Sequence, residues 1–391
     1  MKTDKEKRPL RLLWNSNAPW SISGYGNQMA ELLPLVQKQG HQQAVIDFYG
    51  LEGGKLLIND ILHYPKMSHV YGSDAMVHHG KDYNPDYTFT LQDIWVLNPE
   101  DLKQVKKWIP VCPIDHEPIP KIILDRLKLA YRIITYSKFG HEELKKAGLN
   151  STYIPHTVDT EIFKPMDKKQ RKKDVHLPED SFIVGMIAAN KDNPPRKSFQ
   201  EAMDAFAVFL KSVPNAYLYL HTFPDFPGGF PIKEYANFLN ISERVLYPDP
   251  YQMNFNTDKA KMALIYNTLD VMLLPSRSEG FGVPVIEAQS CGVPVIVNDF
   301  VSMPELLVEH ETGEVCDVLH KQFDGILSYN AIPSPESIYD CLMCIYKTDR
   351  TEMGVNARKF IVDNYDTNKV FREKWIPFLK LLQEERDNQV T

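Results

Sequence analysis

Length, composition and charge exclude several classes of protein. The chain has 391 residues, of which 43% are hydrophobic and 24% charged, a globular composition that argues against disorder, collagen and coiled coils. A net charge of −7 at pH 7 gives no overall basic field that would attract DNA or an anionic membrane. We expect two domains, because single cores rarely grow beyond about 250–300 residues.

The first residues and the cysteines bear on cellular location. The start MKTDKEKRPL is charged where a signal peptide needs an apolar stretch, and no apolar run reaches the length of about 18 residues that a membrane span requires. The five cysteines are an odd number and sparse, so they do not indicate a disulfide framework. We expect a cytoplasmic protein without a transmembrane segment, and a peripheral position at a membrane stays open.

The first half of the chain predicts a doubly wound α/β domain. Strands predicted at residues 11–15 and 44–48 are separated by a loop rich in Ser and Gly and by a helix from about Gln28 to Gln39. Strand, helix, strand is the order of elements that builds a parallel sheet. The same order continues with further strands predicted at 108–115, 131–137 and 152–155.

A basic stretch bracketed by prolines divides the chain. Residues 166–180 predict a solvated linker between a first domain of residues 1–165 and a second domain of residues 181–365. The second domain repeats the strand–helix order from Phe182 onward. Residues 366–391 include an amphipathic helix with Trp and Leu, which we expect to cross back to the first domain.

Residues 270–299 carry the most informative pattern, a strand, a loop, a helix and a second strand. Pro284 suits the first helical turn, and Gly292 suits the position just after the helix, where φ is positive. The glycines of loop 280–282 allow the backbone to approach a ligand closely. Together with the N–H groups at the start of the helix, this loop predicts a phosphate-binding site.

Two carboxylates flank this loop: Glu279 before it and Glu287, which we place in the first turn of the helix. A carboxylate accepts hydrogen bonds from two neighbouring hydroxyls, so an acid on either side of a phosphate site suits a ligand with a sugar at each end. A nucleotide-sugar has that form. The alternative is that Glu287 only complements the helix dipole and Glu279 is a solvated loop residue; the complete pattern favours a functional site.

The segment SEGFGVPVIEAQSCGVPVI, which contains both acids, resembles the Glu-x7-Glu signature of retaining GT-B glycosyltransferases of the family 4-like, or group 1, type. The segment YIPHTVDTEIFKP resembles the interdomain segment of that family, with His156 and Thr157 where an Asn-Gly is usual. The resemblance implies two Rossmann-like, doubly wound domains that face each other across a cleft. The first would bind the acceptor and the second the nucleotide-sugar.

The same resemblance implies an activity. It predicts an enzyme that moves a hexose from a UDP- or GDP-linked donor to an acceptor hydroxyl with retention of configuration, by front-face attack, without a metal or other cofactor. The chain contains no Asp-x-Asp, the metal-binding device of the other main glycosyltransferase fold. A non-catalytic protein that binds nucleotide-sugars or glycans on the same fold is the second hypothesis.

Carried over residue by residue, the resemblance defines a candidate site. The predicted catalytic residues are Glu279, His116, Arg196 and Lys197. The predicted substrate-binding residues are Gly24, Tyr25, Gly26, Asn190, Gly280, Phe281, Gly282, Val283 and Glu287. Arg196 and Lys197 would neutralise the diphosphate, since a planar guanidinium and a compact ammonium both suit that charge.

The chain departs from the family pattern near these cations. Asn190 stands at the strand end where the family usually has Arg, so which basic residue meets which phosphate stays open, and Lys191 is a further candidate. The alternative is a solvated basic loop. His116 is expected to close a strand of the first domain, where ligands of parallel sheets bind, and by resemblance to contact the donor sugar. Asp115 and Asp93, also near strand ends, are weaker candidates.

Two other readings have less support. Residues 24–29 approach a dinucleotide fingerprint, with Asp47 as the acid, but Met29 replaces the third glycine. Cys316, His320 and Cys341-x2-Cys344 outline a zinc site, although a cysteine pair within a helix is more typical of a core. The sequence does not identify the acceptor or the oligomeric state; its acidic charge disfavours a nucleic-acid acceptor without excluding it.

Overall fold

The computed structural model describes residues 8–255 and 257–389, which fold into two compact units. Unit 1 contains the chain up to Ile114, residues 119–157 and the residues from Thr367 onward. Unit 2 contains residues 115–118 and 158–366. The first long segment of unit 1 is thus interrupted by four residues that belong to unit 2, and the main boundary lies after Thr157 rather than after residue 165.

Unit 1 is built on an eight-stranded sheet in the order β3-β4-β2-β1-β5-β6-β7-β8. Neighbouring strands run parallel except at one edge, where β3 pairs antiparallel with β4. Its strands are β1 Arg11–Asn17, β2 Gln42–Tyr49, β3 Leu56–Ile58, β4 Ile61–Pro65, β5 Tyr87–Leu91, β6 Trp108–Cys112, β7 Ile134–Thr135 and β8 Thr152–Tyr153. The central strands are buried, as expected where helices cover both faces of a parallel sheet.

The helices of unit 1 connect these strands. With helices numbered along the whole chain, they are α1 Gly24–Lys38, α2 Ser73–Tyr83, α3 Pro99–Leu102, α4 Lys121–Leu127, α5 Lys138–Lys146, α14 Thr367–Val370 and α15 Ile376–Asn388. A π-helical turn, Phe371–Trp375, joins the last two. Tyr87 donates a hydrogen bond to the Leu382 carbonyl at 2.9 Å, and Arg386 lies 3.3 Å from Asp86. The C-terminal segment is thus an integral part of unit 1.

Unit 2 is a second Rossmann-like arrangement, with a fully parallel six-stranded sheet in the order β11-β10-β9-β12-β13-β14. Its strands are β9 Phe182–Ile187, β10 Ala216–His221, β11 Val245–Leu246, β12 Val271–Leu274, β13 Val295–Asn298 and β14 Gly313–Cys316. A separate antiparallel hairpin follows, formed by β15 Val318–Phe323 and β16 Tyr329–Pro333. The expected α/β fold with two Rossmann-like domains is therefore confirmed.

Helices pack on both faces of the second sheet. They are α6 Lys168–Asp174, α7 Phe199–Ser212, α8 Ile232–Phe238, α9 Pro250–Phe255, α10 Lys259–Tyr266, α11 Val283–Ser290, α12 Pro335–Lys347 and α13 Arg350–Asn364. One apolar cluster joins β9, β10 and β12 to α7 and α12. Within residues 8–255 and 257–389, no helix has the length and apolarity needed to cross a bilayer.

The predicted solvated linker is wrong in its central part. Residues 168–174 form α6, and the side chain of Lys172 is buried. The Lys172 ammonium donates to the Asp270 carboxylate at 2.7 Å and to the Ser181 carbonyl at 2.5 Å. The sequence suggested solvation because the run is basic, but Asp270, about a hundred residues later, supplies the partner that allows one of its lysines to enter the core.

Candidate active site

The loop between β12 and α11 has the geometry predicted for it. Gly282 has φ +123° and caps α11, which begins at Val283 with Pro284 in its first turn. The helix ends before Gly292, whose φ is +74°. A Cβ atom at Gly282 would lie 3.2 Å from Leu306 and from Met303 in addition to requiring a positive φ. Glycine is therefore needed for the backbone to enter the helix at this point.

Glu279 lies at the centre of a charged cluster. Its side chain is buried and forms an ion pair with Lys197, and the Arg196 guanidinium lies 3.4 Å from its second carboxylate oxygen. Arg196 also donates to the Ser278 carbonyl at 2.5 Å. Three of the predicted catalytic side chains therefore meet, although they come from segments separated by about eighty residues.

The cluster fixes the charge state of its members. Burial by itself would raise the pKa of Glu279, but Lys197 and Arg196 outweigh it and lower this pKa to about 2. Burial and the neighbouring Arg196 lower the pKa of Lys197, against the attraction of Glu279. Glu279 is therefore a carboxylate throughout the neutral range, a hydrogen-bond acceptor rather than a proton donor.

Backbone and buried contacts hold the two loops of this cluster together. The Arg277 N–H donates to the Arg196 carbonyl at 2.9 Å, and the Arg277 guanidinium pairs with Glu201 of α7 at 2.7 Å. The Ser302 hydroxyl donates to the Glu279 carbonyl at 2.7 Å. These contacts make the position of Glu279 a property of the fold rather than of a flexible loop.

Glu287 differs from the prediction in its position on α11. Because the helix begins at Val283, Glu287 lies in the second turn and not in the first. Its carboxylate accepts a hydrogen bond of 2.7 Å from the hydroxyl of Tyr266, a fully buried side chain of α10. A role for Glu287 at the ribose stays a prediction. The alternative, that Glu287 only complements the helix dipole, loses support because the stabilisation of a negative charge by the dipole is confined to the first turn.

Asn190 has a structural partner. It is buried, its side-chain amide donates to the Phe230 carbonyl at 2.9 Å, and its amide oxygen accepts from the Phe230 N–H at 2.8 Å. This side chain therefore fastens the chain after β9 to the loop before α8. Its predicted contact with the substrate is untested. Phe281 is likewise buried, and its ring lies edge-on to Tyr365.

His116 does not close a strand, contrary to the prediction, since β6 ends at Cys112. It belongs to the four-residue segment Asp115–Pro118 that groups with unit 2. Ser278, the neighbour of Glu279, donates its hydroxyl hydrogen to the Asp115 carbonyl. The segment that carries His116 is therefore attached to the Glu279 loop.

The predicted glycine residues of the first domain lie in unit 1. Gly24, Tyr25 and Gly26 form the first turn of α1 rather than the expected loop, and Ser23 caps this helix by accepting from the Gly26 N–H at 3.0 Å. A Cβ at Gly26 would lie 2.3 Å from Ser21 Oγ, whereas one at Gly24 would have no neighbour within 4 Å. Close packing therefore explains why residue 26 is glycine. Substrate binding by Gly24, Tyr25 and Gly26 stays a prediction.

Packing explains one of the two paired cysteines, since Cys341 is buried whereas Cys344 is exposed. Cys341 and Cys344 lie on α12, and Cys341 belongs to the apolar cluster of unit 2. In the part of the chain that the structure describes, the set of three metal-ligating side chains with neighbouring donor atoms is Glu309, His310 and Glu314. The zinc site considered from the sequence is therefore not formed by these cysteines.

Several residues of the site were not found by sequence reasoning. Arg277, Ser278 and Ser302 position the Glu279 loop, and Glu201 neutralises Arg277. Arg277 and Ser278 directly precede Glu279, so proximity in the chain was a usable signal. Nothing local marks Glu201 or Ser302, because they reach the loop only through the fold.

Comparison with known proteins agrees with the geometry. Residues 167–323 match the model of the family described as glycosyl transferases group 1. N-acetyl-alpha-D-glucosaminyl L-malate synthase of Bacillus anthracis is 23% identical over 250 residues, which are 63% of this chain and 58% of that protein. The chain thus spans less than two thirds of the length of this relative. The resemblance to group 1 glycosyltransferases is confirmed.

Solved structures show the same fold over nearly the whole chain. Sucrose-phosphate synthase from Thermosynechococcus elongatus aligns with a TM-score of 0.72 and 16% identity, covering 96% of this chain and 99% of that one. HepE of Anabaena, in complex with UDP-glucose, aligns with a TM-score of 0.68 and 14% identity, covering 94% and 99%. At these identities the likeness establishes the GT-B fold.

Proposed function

We propose that this chain, whose residues 167–323 form a glycosyl transferases group 1 domain, transfers a hexose from a nucleotide-diphosphate sugar to an acceptor hydroxyl. The observation that carries this proposal is the cluster of Arg196, Lys197 and Glu279 beside the start of α11. Two cations lie beside the Glu279 carboxylate, and the N-terminus of a helix adds partial positive charge. Such a site suits a diphosphate.

Glu279 is assigned to the sugar end of the donor. An ionised carboxylate accepts hydrogen bonds from two adjacent hydroxyls, and the lowered pKa of Glu279 keeps it ionised. The same low pKa argues against a role as general acid, because such an acid works best with a pKa near the operating pH. Glu279 therefore orients the hexose and stabilises positive charge that develops on its ring in an oxocarbenium-like transition state.

Arg196 and Lys197 are assigned to the leaving diphosphate. When the bond between the sugar and the diphosphate breaks, negative charge grows on the diphosphate oxygens. A guanidinium fork and a partly buried ammonium that are already in place stabilise this charge without reorganising. We propose that they replace a metal ion, and that attack on the same face as departure retains the configuration.

UDP-hexoses are the first donors to test, since the HepE structure contains UDP-glucose. The full chain would be incubated with UDP-, GDP- and ADP-sugars, each with and without a mixture of lipid, glycan and small-molecule acceptors. We expect one donor class to release nucleoside diphosphate and to depend on acceptor for its full rate. Saturable binding without release from any donor would favour the alternative of a non-catalytic binding protein.

Two further measurements sharpen this test. A bound donor at a hundred times its dissociation constant adds about 2.7 kcal/mol to the free energy of unfolding, so thermal stabilisation identifies the nucleotide even before an acceptor is known. Once a product is obtained, the proton coupling at its anomeric carbon reports the configuration. An inverted product would contradict the retaining mechanism while leaving sugar transfer itself intact.

A further inference from the structure

Along the chain, the antiparallel hairpin β15–β16 follows β14, the last strand of the parallel sheet, and precedes α12. Most of β15 is exposed, and the strands are joined by a turn that begins at Asp324. The Asp324 carboxylate accepts from the Ile326 N–H at 3.1 Å, and the Asp324 N–H donates to the Ser328 carbonyl at 2.9 Å. The turn therefore holds the Asp324 carboxylate in one orientation.

The hairpin is docked on the segment Asp115–Pro118. Glu117 and Tyr329 form an antiparallel bridge, and Lys321 pairs with Glu117 at 2.9 Å. The Ser328 hydroxyl donates to the Pro118 carbonyl at 2.5 Å. Main-chain and side-chain contacts of the two residues after His116 thus fix the distance between this segment and the hairpin.

Next to these contacts, the imidazole of His116 lies between two carboxylates. Its Nδ1 atom is 2.8 Å from Asp115 Oδ1, and its Nε2 atom is 3.2 Å from Asp324 Oδ2. His116 is buried, with 8% of its surface exposed. A carboxylate only accepts hydrogen bonds, so both ring nitrogens must carry protons for both bonds to exist, and the ring is then an imidazolium.

The electrostatics agree with this reading. Burial lowers the pKa of His116, but the hydrogen bond and charge of Asp115 and the charge of Asp324 outweigh it and raise the pKa above the ordinary value of 6.5. Other charged side chains of the adjoining elements have partners of their own: Lys321 pairs with Glu117, and Glu279 with Lys197 and Arg196. Asp115 and Asp324 are therefore the charges that control the ring.

Loss of the proton affects the two bonds differently. A neutral imidazole has one N–H, and the shorter bond to the adjacent Asp115 retains it. Nε2 then presents a lone pair to the Asp324 carboxylate at 3.2 Å, which is repulsive. The bond between His116 and Asp324 therefore exists only while the ring is protonated.

The hairpin and the histidine segment are both attached to the Glu279 loop. Ser278 donates to the Asp115 carbonyl, and the Ala331 N–H of β16 donates to the Arg277 carbonyl at 2.8 Å. We infer that Asp324 is a positioning residue, which keeps His116 protonated and its ring plane fixed beside the Glu279 loop during sugar transfer. This inference rests on the proposed function, in which His116 belongs to the donor-sugar end of the site.

The test compares Asp324→Asn with wild type in donor turnover as a function of pH. We expect the alkaline limb of the kcat/KM profile to follow His116 and to move to lower pH by about one unit in the variant, since an adjacent opposite charge is worth 1–3 units. At a pH above that limb, kcat/KM then falls about tenfold. Asp324→Glu, which keeps the charge, should bring the alkaline limb most of the way back to its wild-type position.

Glu117→Gln is the matched control. It removes the ion pair of the hairpin with Lys321 but leaves the groups around the imidazole in place, so we expect an unshifted limb. An Asp324→Asn profile that coincides with wild type would overturn the inference, and so would an equal shift in Glu117→Gln, which would indicate docking of the hairpin alone.

A second measurement is independent of activity. The wild-type chain is labelled with 15N-histidine, and His116→Gln identifies the His116 signal. We expect the pKa of His116 to lie above 6.5, with both ring nitrogens protonated at pH values below that pKa. Titration below 6.5 would overturn the inference even if every variant misfolds. Failure of the proposed function is distinguishable from failure of this inference, because wild type would then release no nucleoside diphosphate from any donor. In that case the positioning role of Asp324 would be rejected as well.

Discussion

Each unit contains a helix that follows a parallel strand and has a glycine at its start, and the two beginnings are built differently. In α1 of unit 1 the Ser23 side chain caps the helix, and Gly26 is needed because a Cβ would meet Ser21. In α11 of unit 2 the cap is Gly282 with its positive φ, no side-chain cap bond is made within the described chain, and Glu279 with its two cations lies beside it.

The difference shows how a glycine that is required by packing can be distinguished from a glycine that belongs to a binding site. At α1 the glycine satisfies contacts within the fold, and the cap already uses a helical N–H group. At α11 the glycine sets the backbone direction, and two cations lie beside Glu279 near the helix N-terminus, an arrangement that suits an anionic ligand. Four experiments test this comparison.

The largest effect should come from removing both cations. We expect Arg196→Ala combined with Lys197→Ala to lower kcat/KM at least a hundredfold, about 2.7 kcal/mol of transition-state stabilisation, because the leaving diphosphate loses its counter-charges. Steady-state donor kinetics measure this. Lys233→Ala, which removes an exposed lysine paired with Asp225, is the control and should be near wild type; equal losses in both variants would remove the cations from the site.

In unit 1 we expect Gly26→Ala to reduce the free energy of unfolding by about 2 kcal/mol, because the added methyl group would lie 2.7 Å from the Ala18 carbonyl, which is backbone and cannot rotate away. Gly24→Ala, two residues earlier and without neighbours, is the matched control and should leave stability unchanged or raise it by up to about 1 kcal/mol. Urea denaturation compares them. Similar stabilities would show that packing does not select glycine here.

Replacing Glu279 by Gln should lower kcat at least tenfold, about 1.4 kcal/mol, while leaving the fold intact.

Because the pKa of Glu279 is about 2 in the folded chain and 4.5 in the reference state, its ionisation adds stability above pH 4.5 that is lost as the pH falls towards 2. The stability difference between wild type and Glu279→Gln should therefore be constant near neutrality and shrink in acid. Glu179→Gln, at an exposed pair with Lys173, controls for loss of a carboxylate, and near-normal turnover of Glu279→Gln would contradict its assignment.

The smallest expected effect is that of a chelator. If the cations beside α11 take the place of a metal ion, then dialysis against EDTA should leave donor turnover within a factor of two of the untreated chain. Complete loss that is reversed by adding a divalent cation would contradict the proposed mechanism, and the Glu309, His310 and Glu314 set would then be the first place to examine.

Local signals predicted much of this molecule. Apolar runs located most of the central strands to within a few residues, and Pro284 and Gly292 marked the ends of α11 because proline and glycine act through their own backbone. The resemblance assigned Glu279 and Lys197 to one site, and the structure brings the two side chains together as an ion pair that was not itself predicted. The short strand β7 was predicted longer than it is, because residues that flank a strand are often apolar for packing rather than for pairing.

Partners that are distant in the chain were not predicted. Lys172 was predicted to be solvated, but Asp270 pairs with it in the interior, and the buried ring of His116 likewise has Asp324 as a partner. A charged side chain enters the interior only if the fold supplies a partner, and the chain around it gives no sign of that partner. The hairpin that carries Asp324 was itself not predicted.

The division of the chain into interleaved segments limits how it can be dissected. A fragment that ends at Thr157 would lack α15, on which Tyr87 and Asp86 depend for partners, and its apolar inner face would meet water. A fragment of residues 158–366 would lack the segment Asp115–Pro118, which carries His116 and on which the hairpin docks. We therefore expect neither unit to fold alone, and a gene fusion that exchanges one whole unit must cut the chain at four junctions, after residues 114, 118, 157 and 366.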